Sequence, residues 1–144
     1  MGRQPRNILA FPYYIEENEI LYAIFRRSDA CFWQGVAGGV EDDETNNSAT
    51  IREVYEEAQI EAKGRIIELE ATALIPASEF QADWGENITY VKEVSYGIEA
   101  SSLEVKISSE HSEYCWVGFE KALSMLKYES NKVALMELNI ILKK

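Results

Sequence analysis

Histidine occurs once, cysteine twice and proline three times in this chain of 144 residues. With His111 as the only histidine and no serine marked as a nucleophile, a serine-histidine hydrolase is not supported. His111 reads as a structural hydrogen-bonding residue, with a titrating catalyst as the alternative. Cys31 and Cys115 stand far apart and form no CxxC, so they read as reduced core residues rather than a disulfide or a metal pair. Basic residues are scarce as well: 14 lysines and arginines face 25 acids, for a net charge of −11. So acidic a surface repels phosphate backbones and anionic lipid, which argues against general nucleic-acid or membrane-surface binding. No apolar run approaches the length that crosses a bilayer, and the opening MGRQPRN lacks the apolar core of a signal peptide, so the expected compartment is the cytoplasm.

What is present is an ordinary globular composition, 47% apolar and 27% charged, over a length suited to a single domain, 1–144. Residues 7–15 and 20–25 are apolar runs around a polar turn and predict paired strands. Pro12 has no N–H to donate, so the first strand is expected at a sheet edge or irregular. Residues 31–37 then deliver the chain to Gly38, with Phe32 expected in the core. Residues 65–76 alternate, with Ile67, Leu69, Ala71, Ala73 and Ile75 expected on one buried face. A loop over 77–87 leads to a returning strand over 88–98, then a short strand over 114–117 and a short helix over 120–126. Ser130 or Asn131 is expected to cap a final helix that turns Val133, Met136 and Ile140 inward. Strands and helices in this order suggest a mixed sheet between helices.

The stretch GGVEDDETNNSATIREVYEEAQI, residues 38–60, carries the chemistry. If it is helical in its middle, Glu56 lies about 60° to one side of Glu53 and Glu57 about 40° to the other. Three carboxylates then share one stripe, while Ile51, Val54 and Ala58 fall on a separate, buriable face. Like charges so close need a counter-charge, and a hard divalent cation with oxygen ligands supplies it best. The stripe reads as a magnesium or manganese site, with a solvated acidic helix face as the plain alternative. On so acidic a chain, a phosphate ligand is reached through such a metal and a few arginines.

The full spacing is G-x5-E-x7-R-E-V-x-E-E-x-Q-I, from Gly38 through Glu44 and Arg52 to Ile60. It resembles the signature of the Nudix hydrolases at every position but one, where Gln59 replaces a glycine. With about 7% glycine and roughly 6% of each charged type, a chance match is on the order of one in 10⁵ to 10⁶. Asp43 also stands where many members carry glycine. The resemblance implies an α/β/α sandwich with a mixed β-sheet, the signature forming a loop, helix and loop. It carries Glu53, Glu56 and Glu57 over as the metal-holding and water-activating set, with Mg²⁺ expected and Mn²⁺ as the substitute. Glu44 and Arg52 match positions that tie loop to helix, and a backbone carbonyl at Ala37 or Gly38 completes the coordination.

Outside the signature, FWQGVAGGVE and EHSEYCW resemble the dihydroneopterin triphosphate pyrophosphatases, also described as dATP pyrophosphohydrolase-like, as does SNKVALMELN at 130–139. In that group the acid of the EH pair lies beside the metal, which makes Glu110 a candidate ligand or base, against the plain reading of a loop acid. Trp33 is a candidate platform for a purine or pterin ring or else a core tryptophan, and Arg27 a candidate phosphate contact or else a surface arginine. The expected activity is cleavage of a nucleoside triphosphate-like small molecule to a monophosphate and pyrophosphate. A diadenosine polyphosphate hydrolase and a non-catalytic nucleotide-sensing module are the alternatives, and a homodimer is left open.

Overall fold

Strand β1 (Arg3–Glu16) is the axis of a mixed sheet in the computed structural model, which describes residues 3–144. It runs antiparallel to β2 (Glu19–Arg27) and β4 (Val36–Glu41), and parallel to β6 (Tyr90–Ala100). Beyond β6 lies β5 (Ala62–Pro76), and beyond β2 lie β3 (Trp33–Gln34) and β7 (His111–Val117). Alternation along β1 and β2 splits the core in two, as period-two side chains must. Ile8, Ala10, Ala23 and Phe25 face α1 (Asn46–Ala58), while Leu9, Phe11, Tyr22 and Ile24 face α2 (Phe119–Met125) and α3 (Glu129–Leu142). This is the expected α/β/α sandwich.

Several expectations need correction. Pro12 is in the central strand, not at an edge; β1 is registered with β4 as far as Ala10 and with β2 from Tyr13, so the missing donor falls where the strand changes partners. On β5 the expected face holds, with Leu69 buried and Ile67 and Ala71 packed on the second core, but its far end, Ala73 and Ile75, lines a cleft instead of the core. In α1 Val54 and Ala58 are buried but Ile51 is exposed, because the packed stripe runs through Thr50, Val54 and Glu57. In α3 the cap residue is Tyr128, and Asn131 lies inside the helix.

The outward face of α3 holds Val133, Met136 and Ile140, and the inward one Ala134, Leu135 and Leu138. The helix is apolar on both stripes, so periodicity alone allowed either. Both cysteines are free thiols, as expected; Cys31 is exposed and off the core, while Cys115 is half-buried against the second core. Phe32 is half-buried outside the core, edge-on to Tyr128 at 5.0 Å. The final strand starts earlier than expected, at His111.

Candidate active site

Helix α1 is built to be held at both ends. Thr45 Oγ1 accepts from the Ser48 N–H at 3.1 Å, and Ser48 Oγ accepts from the Thr45 N–H at 3.0 Å, so the first turn is capped reciprocally. At the other end Gln59 takes the left-handed conformation, φ 51° and ψ 31°, and donates to the Tyr55 carbonyl at 2.8 Å. The turn that a glycine would make is therefore made by glutamine at a conformational cost of roughly 1–2 kcal/mol. Asp43, the other departure, is likewise left-handed at φ 65°. The carbonyls of Glu57 and Ala58 accept from the N–H groups of Ser108 and Lys106, each at 2.9 Å, so the segment before β7 is laced to the helix end. That lacing brings Glu110 to the acids of α1. The Glu110 carbonyl accepts from the Ser28 N–H at 3.1 Å and from Ser28 Oγ at 3.0 Å, which also ties it to the end of β2.

Arg52 is the hub. Its Nε donates to Glu44 Oε2 at 2.7 Å and its Nη2 to Glu44 Oε1 at 3.0 Å, a two-pronged contact; Nη2 also reaches the Gly39 carbonyl at 2.8 Å. Nη1 meets Glu53 Oε1 at 2.8 Å and Glu56 Oε1 at 2.5 Å. Pairing with Arg52 holds the Glu44 carboxyl below the usual carboxylate range, and Glu44 in turn raises Arg52. Loop and helix are joined through this one guanidinium. Among the described residues no three acids already converge to hold an ion, since Glu53 and Glu56 turn toward Arg52.

Charge nevertheless points to a cation. Burial pushes the Glu53 carboxyl up against the pull of Arg52, and the charges of Glu56 and Glu110 push it further. The Glu57 carboxyl is pushed up to about 7, first by burial and then by the Glu110 charge. Acids that crowd one another in this way form an all-oxygen donor set short of positive charge, which fits a hard divalent cation. Ser108 Oγ donates to Glu57 Oε2 at 3.0 Å and orients it. His111 Nδ1 lies 3.4 Å from the same oxygen without an aligned hydrogen bond, and the ring packs on Phe25 at 5.3 Å. Burial pushes its pKa down. The structural hydrogen bond expected of His111 is thus absent at Nδ1.

Beside the acids opens a cleft of about 700 Å³ that Glu53, Glu110, Arg27, Gly38 and Gly39 help to line. Gly38 faces the α1 side, where an added Cβ would stand 2.1 Å from the Glu53 carboxyl carbon. Gly39 faces the opposite side, where a Cβ would stand 2.2 Å from Arg3 Nε. A side chain at either position would displace Glu53 or Arg3 from the place it holds. Arg27 faces the cleft while paired to Asp29 at 2.7 and 2.9 Å. Trp33 is not among the lining residues; it packs partly buried against the α2 and α3 core.

Reading the sequence missed Arg3, Asn7, Phe80, Glu93, Tyr128 and Asn131, which also line the cleft. The only signal was polarity at Asn7 and Glu93 within runs that otherwise read as apolar strand.

Comparison with known proteins gives the same picture. The NUDIX domain family matches residues 4–138. A dihydroneopterin triphosphate diphosphatase from Haemophilus influenzae is 32% identical over 139 residues, which cover 90% of this chain and 84% of that protein. A bis(5'-nucleosyl)-tetraphosphatase from Rattus norvegicus is 26% identical over 132 residues, covering 85% and 81%. The crystal structure of a NUDIX hydrolase from Listeria monocytogenes superposes with a TM-score of 0.87 at 35% identity, covering 97% of this chain and 95% of that one.

Proposed function

Because this chain belongs to the Nudix hydrolases, enzymes of phosphoanhydride bonds, we propose that it is a magnesium-dependent pyrophosphohydrolase of a nucleoside triphosphate-like substrate. The substrate is of the dihydroneopterin triphosphate or dATP type, and the products are the monophosphate and pyrophosphate. The observation that carries this reading is the crowding of Glu53, Glu57 and Glu110 beside a cleft of about 700 Å³, within the range of small-molecule sites. The relative from Haemophilus influenzae, matched along most of both chains, supports the substrate type.

Glu53, Glu56 and Glu57, with the Gly38 carbonyl, are the groups to hold Mg²⁺, or Mn²⁺ in its place. When bound, the ion supplies neutralisation of phosphate charge and a more acidic water. Arg52 and Glu44 hold the loop against the helix so that the acids keep their places. Glu110, anchored by Ser28, is the group to accept the proton from the attacking water, and Arg27 can leave Asp29 to meet a phosphate oxygen. Attack at the phosphorus nearest the ring-bearing group lets pyrophosphate leave intact.

The test is turnover of dihydroneopterin triphosphate and dATP with magnesium in heavy-oxygen water. Label in the monophosphate with release of pyrophosphate is expected. Stepwise orthophosphate release, or turnover confined to dinucleoside polyphosphates, would falsify the reading and favour the activity named for the rat relative.

A further inference from the structure

Gly39, Asn7, Glu93 and Ala73 form a row of register partners across β4, β1, β6 and β5, and all four line the cleft. Neighbouring strands are about 4.8 Å apart, so the Glu93 backbone lies about 10 Å from Gly39. A ring held at Glu93 can therefore keep its phosphates over the glycine pair and the acids beyond it. Glu93 is 6% exposed, yet among the described residues its carboxylate accepts one side-chain hydrogen bond, from Asn7 Nδ2 at 2.5 Å. A carboxylate offers about four acceptor positions, so most of its capacity is unused. Burial pushes this carboxyl up, with the Asn7 hydrogen bond opposing.

Asn7 is held in that orientation by Arg3, whose Nη2 donates to Asn7 Oδ1 at 2.7 Å. The Arg3 guanidinium lies 4.5 Å from the centre of the Phe80 ring, and Trp84 Nε1 donates to the Arg3 carbonyl at 2.7 Å. Phe80 and Tyr128 give the cleft aromatic walls, and Ile75 an apolar one. A flat ring entering here meets a buried acceptor wanting donors.

We propose that Glu93 reads the ring, accepting hydrogen bonds from a ring N–H and the amino group next to it, and so selects 2-amino-4-oxo rings, as in guanine and pterins. Adenine presents a lone pair where this carboxylate needs a donor, so the site disfavours it. This rests on the triphosphate reading above, and it narrows the two substrate types to one.

The cleanest probe is dGTP against dITP, which differ by the 2-amino group alone. Wild-type enzyme is expected to favour dGTP in kcat/KM by about tenfold or more, since a site built to bond a donor rejects the analogue lacking it. In Glu93→Gln the ratio is expected to collapse toward one. Equal use of dGTP and dITP by the wild type, or an undiminished preference in Glu93→Gln, overturns the proposal. The wild-type ratio needs no variant to fold.

Calorimetry of guanosine and inosine without metal separates the two readings. If no triphosphate is hydrolysed, the proposed activity falls, while guanosine bound more tightly than inosine still supports Glu93. Equal binding of the two nucleosides, or binding of neither, overturns the ring site.

Discussion

Glu57 carries the most displaced acid of the site, and its environment dictates both a pH effect and a catalytic one. Its carboxyl, pushed up to about 7 from an ordinary 4.5, binds a proton more readily folded than unfolded. The stabilisation this gives metal-free protein is complete below about pH 4.5 and is lost as pH rises through about 7. Calorimetric melting without metal should therefore fall from about pH 5 to 8, and Glu57→Gln should flatten that slope; an identical slope in the variant would remove Glu57 as its source. The same variant should lose on the order of 10² to 10³ in kcat, as for other lost electrostatic stabilisers. Turnover above about a tenth of wild type would deny Glu57 a place in the metal site. Arg52→Lys tests the hub: one ammonium cannot reproduce the fork on Glu44 together with the Gly39 carbonyl. A loss of about 1–3 kcal/mol and of activity is expected, and an unchanged melting temperature with full activity would show the fork to be dispensable.

Among the elements, α3 shows how far a pattern can be read. Its two apolar stripes are nearly equal in sequence, and β5 and β6 decide between them. Leu135 and Leu138 are fully buried in the second core, whereas Met136 is 46% exposed. Leu135→Ala should cost about 2–5 kcal/mol in denaturant unfolding and Met136→Ala within about 0.5 kcal/mol. Equal costs would mean that the outer stripe is covered in solution. The same helix guards an open edge: Glu137 accepts from the N–H groups of Glu70 and Ala71 at 2.7 and 2.9 Å, where the β5 ladder is irregular. Two donors of an edge strand are thereby removed from pairing with another chain.

For the whole molecule, site and core share one scaffold, because β1 touches β2, β4 and β6 and separates the two apolar clusters. An ion that binds only the folded acids must raise the stability of the entire domain. At a hundredfold excess over Kd, magnesium should add about 2.7 kcal/mol, readable as a higher melting temperature. Glu53→Gln should shrink that rise, and a chelator should reverse it. A melting temperature indifferent to magnesium at every concentration would mean that the acids hold no ion.

The sequence alone determined that a helix with its acids lies within residues 38–60, the Arg52 to Glu44 spacing, the family and, through element order and that family, the sandwich, because these depend on local periodicity and on residues close in the chain. It also marked Glu110, though only the lacing of Lys106 and Ser108 to the end of α1 explains how residue 110 reaches residue 57. Tertiary structure decided the rest. Pro12 lies in the central strand because two partners divide β1 between them, and Val133 and Met136 face outward because the sheet accepts the other stripe. The row from Gly39 through Asn7 to Glu93 joins residues up to 86 positions apart, through a parallel pairing of β1 with β6. Register between distant strands is set by which faces bury together, and no spacing along the chain records it.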